Sequence, residues 1–260
     1  MWLSGCIAPR LKAGPAIEGQ PAESAYLVST EAIDSEHALV VAEVEKLLSP
    51  GMSDREKAVR IHDFVRDEIR FGWQTNFYEV RASEVLTAGI GYCNTKSTLF
   101  VAMLRAAGIP ARPYFVDLDA QLLDGIVNPG TAYVDHSFTE VFLGGRWVRT
   151  DSYIVDPTLF ASAQARLQRE GRTIGYGIHL SGTTAWDGVN DAFSQFVNDG
   201  STPGFSTRDY GVHVDVLTFY RDEPTTWNKL NPGTRLLMRV GLPQANRTAD
   251  SLRKATAIGG

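Results

Sequence analysis

The sequence is poor in cysteine. Only Cys6 and Cys93 occur in 260 residues, too few for a disulfide framework, so the fold has to rest on an apolar core. It lacks any lysine- or arginine-rich block, and its net charge is −5. That argues against nucleic acid or an anionic membrane surface as a partner. No run approaches the roughly 20 apolar residues of a membrane span, so no membrane association is expected. There is no internal repeat, no low-complexity tract, no HExxH and no paired CxxC. His136 and Glu140 are four residues apart, but on a strand rather than a helix, so neither a metal site nor a cofactor is expected. What remains is an ordinary soluble-domain composition, 43% hydrophobic and 21% charged, able to bury a sizeable core.

Residues 1–22 read as an extended lead-in with scattered proline and glycine. Within them Leu3-Ser4-Gly5-Cys6 resembles a lipoprotein processing box, but no charged or apolar signal regions precede it. The match is read as chance and a cytoplasmic location is expected, since a reduced Cys93 suits a reducing compartment. An exported lipoprotein is the alternative, should LSGC belong to a longer signal sequence. Residues 23–242 are expected to form a single domain and 243–260 a flexible polar tail.

Along the domain, Asp34 or Ser35 is placed to cap a first helix through about Leu48, with Leu39, Val40, Val44, Leu47 and Leu48 on one side. Ser53 and Glu56 have capping-box spacing and open a second helix from Asp54 to about Arg70. Its apolar face is Ala58, Ile61, Phe64, Val65 and Ile69. His62 lies on or beside that face, and a core or surface role outweighs a ligand role there. An aromatic, irregular stretch follows over 71–80, then a loop with Gly89 and Gly91. Cys93 next begins a helix that is apolar nearly all round and stops at Gly108 and Pro110.

Ala111–Leu118 reads as a strand, and 119–132 as a loop. Gly144-Gly145 sits between two β-rich arms and predicts a two-residue hairpin in which Leu143 pairs with Arg146. That register sets His136 and Asp151 on one face as diagonal neighbours, with Asp135 and Asp156 of opposite parity. Asp156-Pro157 opens a helix to about Glu170. Residues 171–211 are irregular, and 171–220 is a possible cover for a cleft, with Trp186, Phe193, Phe196 and Phe205 as its apolar anchors. Strands are expected over His213–Tyr220 and Arg235–Leu242.

A thiol on the first residue of a helix meets unpaired N–H groups and the positive end of the helix dipole, which favour thiolate. The bland alternative is a buried small apolar residue. A strand-borne histidine and a same-face aspartate would complete a nucleophile, a general base and its orienter, the roles that acyl transfer needs. The Cys93 N–H would then serve the oxyanion.

The chain resembles the transglutaminase-like superfamily of cysteine enzymes. The likeness rests on ASEVL…GYC at Ala82–Cys93, LRAAGIPAR at Leu104–Arg112, HSFTEVFLGGRWVRTD at His136–Asp151, and the order Cys, His, Asp over about residues 53–160. It implies an α+β fold with a papain-like core, in which N-terminal helices, including a central cysteine-bearing helix, pack on an antiparallel sheet. It also implies Cys93, His136 and Asp151 as catalytic residues. A tryptophan or glutamine often completes the oxyanion hole in relatives, which makes Trp73 and Gln74 candidates by loop position. Animal members use calcium, yet no acidic loop of calcium-site spacing occurs here. The activity implied is that of a cysteine peptidase or amidase on a peptide or protein amide. The alternatives are a protein-glutamine γ-glutamyltransferase and a non-catalytic peptide-binding module.

Overall fold

The computed structural model describes residues 22–76, 79–197, 207–223 and 232–256. Its architecture is α+β, as expected. Helix α1 spans Ala38–Leu47, α2 Asp54–Glu68, α3 Ala82–Ala88 and α4 Cys93–Ala106. A two-residue parallel pair, β1 (Arg70–Phe71) and β2 (Ile90–Gly91), joins the end of α2 to the start of α4. The main sheet contains β3 (Ala111–Asp119), β4 (Tyr133–Leu143), β5 (Arg146–Thr150) and β8 (Thr207–Val212). Among the described residues its order is β5-β4-β3-β8, antiparallel throughout. Between β5 and β8 come α5 (Pro157–Glu170) and a small hairpin of β6 (Ile174–Gly175) and β7 (Ile178–His179). Helices α6 (Val216–Asp222) and α7 (Pro232–Thr256) follow.

Helix α4 is the centre of the fold. Leu99 to Leu104 are all fully buried, and even its polar residues Asn94 to Thr98 and Arg105 are covered. One face of β4 packs on this helix: Thr139 Oγ1 is 3.1 Å from Ser97 Oγ and 2.7 Å from Tyr153 Oη. The other face carries Phe138, stacked on Tyr114 with ring centroids 4.7 Å apart. The hairpin register is the expected one, from Leu143 opposite Arg146 to Thr139 opposite Thr150. Gly144 and Gly145 take φ of 58° and 80°, which the two central positions of such a turn require of glycine.

The α2 capping box forms as expected, with Ser53 N donating to Glu56 Oε2 at 2.8 Å and Glu56 N to Ser53 Oγ at 3.3 Å. Helix α5 begins at Pro157 behind an Asp156 cap. Helix α1 instead starts three residues after Ser35, capped by His37. Asp34 turns away from it to accept from Ser83 N (3.0 Å) and Ser83 Oγ (2.5 Å) at the start of α3, a helix that the Phe71–Gly91 stretch did not suggest. Leu39 is correspondingly half exposed.

Three expectations near the C-terminus are corrected. The strand over His213–Tyr220 is mostly α6: Asp215 accepts from Thr218 N at 2.8 Å as an N-cap, and Val216, Phe219 and Tyr220 then share one face. The strand over Arg235–Leu242 is the first part of α7. The flexible tail from Pro243 is corrected likewise, because the chain is helical to Thr256. Leu242, Ala245, Ala249 and Leu252 follow helical spacing and are buried, but a stripe half made of alanine leaves little hydrophobic signal. Most of the lead-in, Cys6 and Phe205 lie outside the described residues. Among those described, no helix is long and apolar enough to cross a membrane.

Candidate active site

Cys93 is the first residue of α4. Tyr92 before it is extended, and Tyr92 N donates to Thr95 Oγ1 at 3.0 Å, which ends the loop and starts the helix. Gly91 makes this turn possible through close approach. A Cβ there would stand 2.8 Å from Thr95 Oγ1 and 2.9 Å from Lys96 Cγ.

Strand β5 stops at Thr150, opposite Thr139, and α4 begins beside the part of β4 left open. The Cys93 thiol donates there to the backbone carbonyl of Asp135 at 3.8 Å, one residue before His136. The imidazole of His136 is buried, and its Nε2 lies 3.0 Å from Asp151 Oδ2. A carboxylate only accepts, so Nε2 carries a proton, and in the neutral ring Nδ1 would be the nitrogen with the lone pair. Nδ1 is buried and has no hydrogen-bond partner among the described residues.

Asp151 is held by the segment beyond β7. Oδ1 accepts from Ser194 N, from Ser194 Oγ at 3.0 Å and from Gln195 N at 3.2 Å; Oδ2 accepts from Phe196 N at 2.7 Å. Phe193 and Phe196 anchor that segment on Phe138, at 5.7 and 5.1 Å between ring centroids. Part of the region expected to cover a cleft is therefore a cradle for the aspartate. These donors went unseen in the sequence because backbone N–H groups have no side-chain signature.

The other candidates sit in the segment just after β1. Gly72 N donates to the Gly91 carbonyl at 2.9 Å, and Gln74 Nε2 to the Ile90 carbonyl at 2.9 Å, three residues before Cys93. Trp73 is buried with its ring against Phe71. Its backbone N donates to Asn246 Oδ1 (2.9 Å) and its carbonyl accepts from Asn246 Nδ2 (2.8 Å), so α7 grips the segment just after β1. Arg253 of α7 reinforces this, donating to the Phe71 carbonyl at 2.7 Å and to Asp156 Oδ2 at 2.5 Å. Burial pushes the Asp156 carboxyl up, but the bonds and charge of Arg253 outweigh it and hold the group below its usual value.

Two buried groups near the site have separate explanations. His62 is a satisfied core histidine, with Nε2 2.8 Å from Ser152 Oγ and Nδ1 3.0 Å from Asp63 Oδ1. Burial holds its pKa below the ordinary value. The order Asp63, His62, Ser152 has the composition of a serine triad, but Ser152 is fully buried and no substrate reaches it. Lys96, one turn beyond Cys93, is also fully buried and donates to the Ile69 carbonyl. Burial pushes its pKa down to about 7, against the pull of Asp156. Its sequence signal was a lone lysine in a helix otherwise apolar nearly all round.

The class these features define is an α+β fold in which a helix opening at a cysteine is set against a sheet bearing a His–Asp pair. Residues 42–152, which hold Cys93, His136 and Asp151, match the family described as the transglutaminase-like superfamily. No curated protein matches the chain. Among solved structures it is similar to a "Putative Cysteine Protease" from Cytophaga hutchinsonii, with 21% identity and a TM-score of 0.42, over 54% of this chain and 44% of that one. It is also similar to a "putative protease" from Parabacteroides distasonis, with 16% identity and a TM-score of 0.33, over 55% and 30%. The chain thus matches less than half the length of either.

Proposed function

We propose that the protein is a thiol-dependent acyl-transfer enzyme, a cysteine peptidase or amidase, with Cys93 as nucleophile, His136 as base and Asp151 as orienter. The observation that carries this reading is the state of His136. Asp151 occupies Nε2, Nδ1 has no hydrogen-bond partner among the described residues, and the preceding residue's carbonyl receives the Cys93 thiol. The resemblance of the two solved structures in name, both described as proteases, agrees with it.

In this mechanism the Cys93 proton passes to His136 Nδ1, and the thiolate attacks the amide carbonyl. The Cys93 N–H at the helix start takes the developing oxyanion, with Gln74 or Trp73 in the segment after β1 as the second donor. The C–N bond breaks as the imidazolium returns its proton to the leaving amine. Water, deprotonated by Nδ1, then attacks the thioester, releasing the acid and restoring the thiol. Asp151 stays ionised and stabilises the imidazolium that forms between steps.

The test is incubation of the protein and its Cys93→Ala variant with a peptide and glutamine-amide library, with and without a primary amine. Product acids or released ammonia that vanish in the variant support the proposal. Amine adducts in place of acids would shift the reading to transamidation. No turnover and no covalent adduct on Cys93 with any amide would refute both.

A further inference from the structure

Residues flanking the nucleophile and the base are tied to one another. Asn94 follows Cys93 in α4, and Asp135 precedes His136 in β4. Asn94 Nδ2 donates to Asp135 Oδ2 at 2.6 Å. Tyr220 of α6 closes the figure: its hydroxyl donates to the same Asp135 oxygen at 2.8 Å and accepts from Asn94 Nδ2 at 2.5 Å. The ring is chemically complete. The two amide hydrogens of Asn94 and the hydroxyl hydrogen of Tyr220 are each used once, and the carboxylate only accepts.

Two observations say that this ring serves position rather than stability alone. The carboxylate dictates which way the Asn94 amide faces, and the amide's own oxygen is thereby left buried without a hydrogen-bond partner among the described residues. Such a group carries a desolvation cost that a purely stabilising contact would avoid. Tyr220 also comes from outside residues 42–152. It is delivered by its neighbour Phe219, stacked on Phe115 of β3 at 4.1 Å. Phe219 also meets Tyr210 and His213, so the helix is anchored at this residue, and the next one reaches the start of α4.

We propose that Tyr220, through Asp135 and Asn94, is a positioning residue that holds the Cys93 thiol against the His136 imidazole. This rests on the reading of Cys93 and His136 as nucleophile and base. Neither Tyr220 nor Asp135 takes part in bond making. Their action is to keep the first turn of α4 and the open edge of β4 from sliding past each other, and misplacement of about 1 Å at a reacting pair costs up to roughly 10²-fold in rate.

The test is the pH profile of Cys93 alkylation by iodoacetamide in the full chain, for wild type, Tyr220→Phe, Asp135→Ala, Asp135→Asn and His136→Ala, each with its melting temperature. Tyr220→Phe keeps the ring and removes only the hydroxyl, so the fold is expected to survive. Tyr220→Phe and Asp135→Ala should slow alkylation at pH 7 by about ten-fold and move its midpoint toward the unperturbed thiol value of about 8.5. Asp135→Asn should recover most of the wild-type profile, because both ring bonds go to a single oxygen that a carboxamide can supply. A Tyr220→Phe profile that overlays wild type would overturn the proposal. So would Asp135→Asn failing as badly as Asp135→Ala, since charge rather than position would then be at work. If His136→Ala shifts the profile and Tyr220→Phe does not, only this inference falls; if His136→Ala shifts nothing, the enzyme reading falls with it.

Discussion

His136 and Asp151 meet at 3.0 Å through Nε2 and Oδ2, one on β4 and the other just past the end of β5, with both side chains buried. The pair commits one imidazole nitrogen and leaves the other without a hydrogen-bond partner among the described residues. Everything around it serves that division: the 194–196 segment fills the remaining capacity of the carboxylate, and α4 brings a thiol to the preceding carbonyl.

Asp151→Asn tests the cradle. A carboxamide has only one acceptor oxygen, and its NH2 group would face N–H donors from Ser194, Gln195, Phe196 or His136. We expect a stability loss of about 1–3 kcal/mol by denaturant titration, as for a buried donor left unsatisfied. We also expect slower Cys93 alkylation at pH 7, because the imidazole loses the partner that fixes its tautomer. Asp151→Asn indistinguishable from wild type in both would contradict the arrangement.

Asn246→Ala tests the grip of α7 on the Trp73 segment. The two bonds to the Trp73 backbone vanish, leaving its N–H and carbonyl without those partners. The expected cost is about 1–3 kcal/mol. Hydrogen exchange should rise at 71–74 and, through the Gly72–Gly91 bond, at the loop before Cys93. Exchange raised only within α7 would show that this segment stands without it.

Lys96 should make stability depend on pH. Its folded pKa is about 7 against an ordinary value of 10.5, so above pH 7 the unfolded chain binds more protons than the folded one. Stability from this group therefore rises with pH across that window, and is lowest at and below pH 7. The difference in unfolding free energy between wild type and Lys96→Met should grow in favour of wild type by up to about 1.4 kcal/mol per pH unit between 7 and 10. A difference independent of pH would show that Lys96 keeps an ordinary pKa when folded.

The order Cys, His, Asp and the hairpin register were legible because each rests on a short-range rule. Gly144-Gly145 dictates a tight turn, strand alternation carries that register to His136, and Gly91 admits a helix beginning at Cys93. The α2 capping box and the Asp156-Pro157 start were readable for the same local reason. The partners of the site were not. Ser194 to Phe196 act largely through backbone N–H groups, Tyr220 lies 85 residues from Asp135, and Asn246 lies 173 from Trp73. Val216–Tyr220 looked like a strand from its branched and aromatic residues, and only the Asp215 cap decides for helix. The alanines of α7 hid a packing face that the leucines alone did not reveal.

The most direct test of the central claim is the pH dependence of Cys93 alkylation by iodoacetamide in wild type and His136→Ala. A thiol at a helix start beside an imidazole base should react well below pH 8 in wild type. In His136→Ala the midpoint should move toward about 8.5, which lowers the thiolate fraction at pH 7 to a few per cent, up to about thirty-fold below a fully ionised thiol. A cysteine that stays inert in both proteins, or a profile unchanged by the substitution, would contradict the account.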